Sequence, residues 1–283
     1  MKIGIIGSEG QLGYDLMNIF GSSALGFDIK DLDIRKLDRC QKLLKDLDLV
    51  INCAAYVKVD DCESNWQEAL SVNALGAKNV ALVCKQINAK LMHISTDFVF
   101  DGEKKDCYRE EDVPNPINVY GSSKYLGEIF VKNCLSQHYI VRTSSLYGIR
   151  GAKGKEENFI DTIAKSDKRG KCLEVVDDIY MSPTYTKDLA AMVSKIIEND
   201  LPFGTYHVSN KGSCSWFEFA KNILEFLGVN GQIKPIKSKD FAGKARRPKS
   251  TVLANTKIEN LGFKMRSWEK ALEEFIGERS KIW

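Results

Sequence analysis

A doubly wound α/β fold, a parallel sheet with helices on both faces and a smaller, discontinuous C-terminal lobe, is what this sequence predicts. Three observations carry it. Short apolar runs alternate with helix-period stretches through the first half, the chain opens with an apolar run feeding a glycine-rich turn and then a helical pattern, and past the strand ending near Arg142 the alternation loosens. At 283 residues with 43% hydrophobic content, the chain can bury one large core or two adjoining ones. Lys plus Arg number 41 against 38 Asp plus Glu, interspersed rather than blocked, so no nucleic-acid footprint stands out.

Residues 2–6 read as a buried strand, 11–20 as a helix, and 23–27 and 47–52 as the second and third strands. Residues 66–86 place Ala69, Val72, Leu75, Val80 and Val83 at helical spacing and read as one long helix, after which 90–95 return to strand. Strands separated by helices pair in parallel through right-handed crossovers. Pro114 and Pro116 break the chain before a helix running from Tyr120 towards Cys134, and 138–142 supply a further strand. Beyond it, 151–157 read as a polar, mobile loop, 187–197 as a helix, 205–208 as a strand, 216–227 as a helix, 244–249 as a basic loop and 268–276 as the final helix.

The eight cysteines (Cys40, Cys53, Cys62, Cys84, Cys107, Cys134, Cys172, Cys214) form no C-x-x-C pair and sit mostly in apolar runs, which reads as buried thiols in a reducing compartment. The three histidines, His93, His138 and His207, lie far apart, and no metal site is expected from them. The N-terminus runs directly into a strand pattern and no stretch approaches ~20 apolar residues, so the expectation is a cytoplasmic protein with no membrane partner.

Between the first strand and first helix lies Gly7-Ser8-Glu9-Gly10-Gln11-Leu12-Gly13. Glycines permit a tight turn and close backbone approach to a pyrophosphate, and the helix N-terminus then offers N–H groups and a positive dipole end. The position fits a Rossmann-like dinucleotide motif, although the spacing differs from G-x-G-x-x-G. Asp28, about twenty residues on, stands where an acid would bond the adenosine ribose and favour NADH. Lys30 could instead accept the 2′-phosphate of NADPH, so both cofactors stay open. Asp33 and Ile34 could meet the adenine, and Cys53, Ala54, Ala55 and Tyr56 follow the third strand where cofactor passes close to the backbone. The domain boundaries that follow are 1–145 plus about 184–203 for the dinucleotide-binding domain, with about 146–183 and 204–283 forming the substrate lobe.

Tyr120 and Lys124 lie four apart on one helix face, so phenol and ammonium look into one cleft, where the cation should lower the phenol's pKa. Ser95-Thr96-Asp97 ends a parallel strand at its carboxyl edge, where such folds place chemistry. Reducing a ketone with a nicotinamide hydride donor also needs a proton for the developing alkoxide. Tyr120 can donate it, Lys124 can tune Tyr120 and hold the nicotinamide ribose, and Thr96 can bond the substrate oxygen.

These stretches resemble the extended short-chain dehydrogenase/reductases and, within them, the dTDP-4-dehydrorhamnose reductase family. The matches are residues 7–13, Asn52-Cys53-Ala54-Ala55-Tyr56 with Val59-Asp60, Val72-Asn73-Ala74, the run from Ser95 to Gly102, Asn115-Pro116, Val119 to Lys124 with Gly127-Glu128, Val141-Arg142-Thr143-Ser144, Ser182-Pro183-Thr184, and Arg247-Pro248. The resemblance implies an NAD(P)H-dependent reductase of a nucleotide-linked 4-keto-6-deoxysugar, with a homodimer as the family expectation. It implies Asp97, Phe98, Ser145 and Arg247 near the substrate, Arg247 gripping the nucleotide diphosphate. Some members use Mg2+, which enters by resemblance only.

Departures concentrate in the sugar pocket. Ser145 stands where the family carries tryptophan, Phe98 replaces a tyrosine, and Asp178-Ile179-Tyr180-Met181-Ser182-Pro183-Thr184 replaces Asp-Gln-x-Gly-x-Pro-Thr. Losing a large aromatic removes up to ~200 Å2 of contact surface and enlarges the pocket. Phe98 also fills the position where related 4,6-dehydratases carry a proton-moving Glu, which disfavours dehydration. The alternative to turnover is an NADP-binding regulatory subunit resembling methionine adenosyltransferase β.

Overall fold

The computed structural model of the chain describes residues 1–151, 158–166 and 172–279. Six strands, β1 (Ile3–Ile6), β2 (Ala24–Phe27), β3 (Leu49–Asn52), β4 (Lys90–Thr96), β5 (His138–Thr143) and β6 (Gly204–His207), form one sheet in the order β6-β5-β4-β3-β1-β2. Every pairing in it is parallel. Strands β1 and β3 bury all their residues because helices cover both faces, which is why they read as unbroken apolar runs rather than alternating ones. Strand order reverses between β1 and β3, and the crevice there opens at the carboxyl ends of the strands.

Helix α1 (Gln11–Phe20) and the helix Thr186–Glu198 cover one face, with Leu12, Leu16, Leu189, Val193 and Ile196 packed on Ile3, Ile5, Ile51 and Met92. The opposite face buries Val80, Val83, Leu91, Val131 and Ile140. Two short helices, α2 (Leu37–Leu43) and α3 (Val59–Ser64), escape periodicity because each spans two turns or fewer with only two or three apolar positions. The single helix expected over 66–86 is α4 (Trp66–Leu70), a π-helical turn over Ser71–Gly76, and α5 (Ala77–Gln86). Helix α6 (Val119–Cys134) carries Tyr120 and Lys124.

One expected boundary moves. The cut at residue 203 assigns Gly204–His207 to the substrate lobe, yet this strand pairs with Tyr139–Arg142 at the edge of the main sheet. A four-residue strand carries no local mark of which sheet it will join. The remaining pairings are two-stranded: Leu146–Tyr147 with Thr184–Tyr185, Tyr180–Met181 with Cys214–Ser215, and Leu173–Val176 with Ile233–Ile236. They surround a third core that includes Tyr147, Tyr185, Phe219, Trp268 and Phe275.

The polar loop expected over 151–157 falls, from residue 152 on, outside the described residues. Of the cysteines, Cys40, Cys62, Cys84 and Cys214 are buried as expected, whereas Cys107 and Cys172 are exposed. Among the described residues, no helix is long and apolar enough to cross a membrane.

Candidate active site

A cleft of about 760 Å3 runs from Asp28 and the glycine turn, past Tyr56, Thr96, Tyr120 and Lys124, to Ser145, Phe159, Trp216 and Arg247. Its floor begins at the turn after β1. Gly7 adopts φ +80°, a conformation costly for other residues, and a Cβ on Gly13 would stand 2.1 Å from the Gly7 carbonyl oxygen. Gly13 is therefore the packing glycine that seats α1 on the turn. Gly10 caps α1 without a side-chain hydrogen bond, so the helix N-terminus faces the cleft with no capping side chain over it. Gln11, Leu12, Asp33, Ile34, Cys53, Ala54 and Ala55 line the same groove. This cradle fits a dinucleotide: small residues and a helix N-terminus lie where a pyrophosphate needs backbone approach.

Asp28 is buried and its carboxylate accepts from the backbone N–H of Glu9 and of Ile29. Lys30, the other candidate for the 2′-phosphate, is exposed and is not among the residues that line the cleft. Arg35 does line it, with its guanidinium on Asp33 at 2.7 Å and Glu68 at 2.6 Å. Sequence reasoning passed over Arg35; its signal was a cation just beyond Asp33-Ile34.

The π-turn has a local purpose. It presents the Asn73 side chain, whose oxygen accepts from Tyr56 N at 2.7 Å and whose amide donates to Tyr56 O and to Ser123 Oγ. Tyr56 is thereby fixed against α6. On the opposite side, Asn118 caps α6 by accepting from Gly121 N at 2.8 Å. Glycine is required at 121, because a Cβ would fall 2.1 Å from the Phe98 carbonyl oxygen. Tyr120 is thus pressed against the end of β4, with the Phe98 ring edge-on to it at 5.7 Å.

Thr96 Oγ1 accepts from Phe98 N, donates to Asp97 Oδ1 at 3.0 Å, and is in hydrogen-bond contact with the Tyr120 phenol. Burial pushes the Tyr120 phenol up, against the Thr96 hydrogen bond and with the Asp97 charge adding to the rise. Lys124, only 2% exposed, donates from Nζ to the Ile94 carbonyl at 2.6 Å. Burial brings its pKa down to about 8, with Glu128 and Cys53 opposing. In this state desolvation dominates both groups, so the Tyr120 phenol is raised on balance, and the Lys124 ammonium is engaged by β4.

Asp97 lines the cleft but is only 2% exposed, and its carboxylate accepts from Thr96, from Ser144 Oγ at 2.7 Å and from Thr251 Oγ1 at 2.5 Å. Burial raises its pKa while these three donors oppose the rise. Thr251 is a site residue that sequence reading missed, because nothing local connects it to the end of β4.

Ser145 lines the cleft at φ +43°, a left-handed conformation held by its carbonyl accepting from Thr184 N. Arg247 lines the cleft too, but both its terminal nitrogens bond Asp60, at 3.1 and 2.6 Å. Beyond Ser145 the wall is aromatic, with Phe159 and Trp216 edge to face at 4.8 Å. His93 is a buried core histidine beside Asn52, as its strand position implied, and burial keeps it neutral. Among the described residues, no three His, Cys, Asp or Glu side chains gather into a metal site.

Comparison with known proteins agrees with this geometry. The family model described as the RmlD substrate binding domain matches residues 1–280. The spore coat polysaccharide biosynthesis protein SpsK of Bacillus subtilis is 37% identical, over 99% of this chain and 98% of its own length. The dTDP-4-dehydrorhamnose reductase of Mycolicibacterium smegmatis is 33% identical over 97% of this chain and 85% of its own. Among solved structures, dTDP-4-dehydrorhamnose reductase from Bacillus anthracis in complex with NADP superposes with a TM-score of 0.92 at 41% identity, covering 98% of this chain and all of that one. Matched nearly end to end in sequence and in fold, the chain belongs to the dTDP-4-dehydrorhamnose reductase family.

Proposed function

We propose that this chain reduces the 4-keto group of a dTDP-linked 6-deoxysugar with NADPH. The observation that carries the reading is the convergence of Thr96, Tyr120 and Lys124 on the same cleft as the glycine cradle. The names and the bound NADP of its relatives support the substrate class and the choice of reductant.

The glycine turn and the N-terminus of α1 would hold the pyrophosphate, Asp28 the adenosine ribose, Arg35 the 2′-phosphate, and Lys124 the nicotinamide ribose. A bound reduced nicotinamide supplies the hydride. Tyr120 protonates the oxygen that becomes the alcohol; its raised pKa keeps the phenol protonated until that oxygen turns basic. Thr96 has one hydroxyl hydrogen, shared between Asp97 and whichever of phenolate or substrate oxygen carries charge. Lys124, below about pH 8, adds a cation to the same cleft. Phe98 and Tyr56 flank the reacting end, while Ser145, Phe159, Trp216 and Arg247 form the sugar-nucleotide wall.

The substrate lobe in this reading comprises the segments beyond β5 other than β6 and the helix Thr186–Glu198. Homodimerisation and cytoplasmic residence follow the family expectation, checked by sedimentation and by cell fractionation. The decisive assay mixes purified protein, NADPH or NADH and a panel of dTDP-4-keto-6-deoxysugars. Cofactor oxidation matched by sugar reduction supports the reading. Cofactor binding without oxidation across the panel replaces it with the regulatory-subunit alternative.

A further inference from the structure

The segment Ala245–Thr251 touches the catalytic apparatus at separate points. Ala245 N and the Arg247 guanidinium bond Asp60 at the start of α3. The Arg246 carbonyl accepts from Asn118 Nδ2 at 2.9 Å, and Asn118 is the cap that starts the Tyr120 helix. Pro248 and Lys249 lie so close to Gly102 that a Cβ there would meet them at 2.5 and 2.6 Å. Thr251, 3% exposed, ends the segment by donating to Asp97 Oδ2. One short stretch thus joins a cleft-lining arginine to the carboxylate that holds the Thr96 hydroxyl.

We propose that Thr251 is a positioning residue that acts through Asp97 and Thr96, tying the readiness of the catalytic hydroxyl to the seating of the sugar nucleotide against Arg247. The physical reason is competition for one hydrogen. Asp97 is a buried carboxylate that must be satisfied by donors, and Ser144 and Thr251 together serve Oδ2 while Thr96 serves Oδ1. With Thr251 in place the carboxylate is well supplied, and Thr96 can turn its hydrogen towards Tyr120 or the substrate oxygen. Without it, the under-supplied charge holds the Thr96 hydrogen and the reacting oxygen loses a donor. Anything that draws Arg247 from Asp60 towards a diphosphate pulls on the same segment.

This inference rests on the proposed reductase activity, and its test separates the two. Thr251→Val keeps the side-chain shape and removes the donor; Thr251→Ser restores the donor. The expected result is a fall in kcat on the order of tenfold for Thr251→Val, with the dissociation constant of NADPH and the KM of the sugar nucleotide little changed, and recovery in Thr251→Ser. In an Arg247→Ala background the Thr251→Val penalty should shrink, because the segment is already uncoupled from substrate. An unchanged kcat in Thr251→Val overturns the inference, as does a lowered melting temperature with no recovery in Thr251→Ser, or strict additivity with Arg247→Ala. Absence of turnover in the wild type overturns the reductase reading as well.

Discussion

Thr96 closes a strand buried on both faces, and Tyr120 and Lys124 stand in the first turns of a 16-residue helix. Ser145, Phe159, Trp216 and Arg247, at the other end of the same cleft, come from four separate segments that meet only in the folded chain. The first group is positioned by backbone hydrogen bonding that any neighbouring sequence must respect. In the second, Phe159 and Trp216 open the helices Phe159–Ala164 and Trp216–Leu227, while Ser145 and Arg247 lie outside helices and strands, Ser145 in a left-handed conformation. Chemistry is thus anchored on the main sheet and the helix packed against it, and selectivity on segments gathered from outside that sheet.

The sharpest break in that comparison is Tyr120→Phe. It removes the proton donor and keeps the ring against Phe98, so kcat should fall by ~10²–10⁴ with NADPH affinity retained, as steady-state rates and cofactor titration would show. Next comes Gly13→Val, which forces side-chain atoms onto the Gly7 carbonyl. A loss of ~1–3 kcal/mol in denaturant unfolding, with weakened binding of both NADPH and NADH, is expected. Retained affinity would remove the cofactor from the glycine turn.

On the selective side the effects should be smaller. Arg247→Ala should raise the KM of the sugar nucleotide by about tenfold and leave cofactor binding alone, since it removes a planar phosphate partner. Arg35→Ala should lower kcat/KM with NADPH several-fold, roughly 5-fold or more, and spare NADH.

Lys124 offers a test that ties both ends to pH. Its folded pKa of about 8 lies below the ordinary value, so the ammonium is present below pH 8 and lost above it. The rate constant kcat/KM should therefore decline as pH rises through about 8. The sign for stability is opposite. Between about pH 8 and the ordinary lysine range the unfolded chain binds the extra proton, so this group's contribution to stability rises with pH there. Lys124→Met should abolish both trends together.

The parallel sheet, the glycine turn and the Tyr120 helix were all legible in the sequence, because each rests on spacing within a few residues. Thr251 and the assignment of Gly204–His207 to the main sheet were not. Thr251 reaches Asp97 across 154 positions, and β6 finds its partner 65 positions earlier, distances over which local patterning says nothing. Asp97 shows the same limit from another side: its residue type marked it as functional, but only the fold reveals the three hydroxyls that donate to its carboxylate. The π-turn at Ser71–Gly76 was equally invisible, since its apolar stripe continues through the helix while its extra residue serves Asn73.

The account turns on Tyr120 delivering a proton during hydride transfer to a sugar ketone. Its most direct test follows NADPH oxidation against a dTDP-4-keto-6-deoxysugar in the wild type and in Tyr120→Phe, with the product identified at C4. One NADPH consumed per sugar reduced, and near-silence in the variant at full cofactor occupancy, is the expected result. Equal rates in the two proteins, or NADPH held without oxidation by any sugar of the panel, would contradict it.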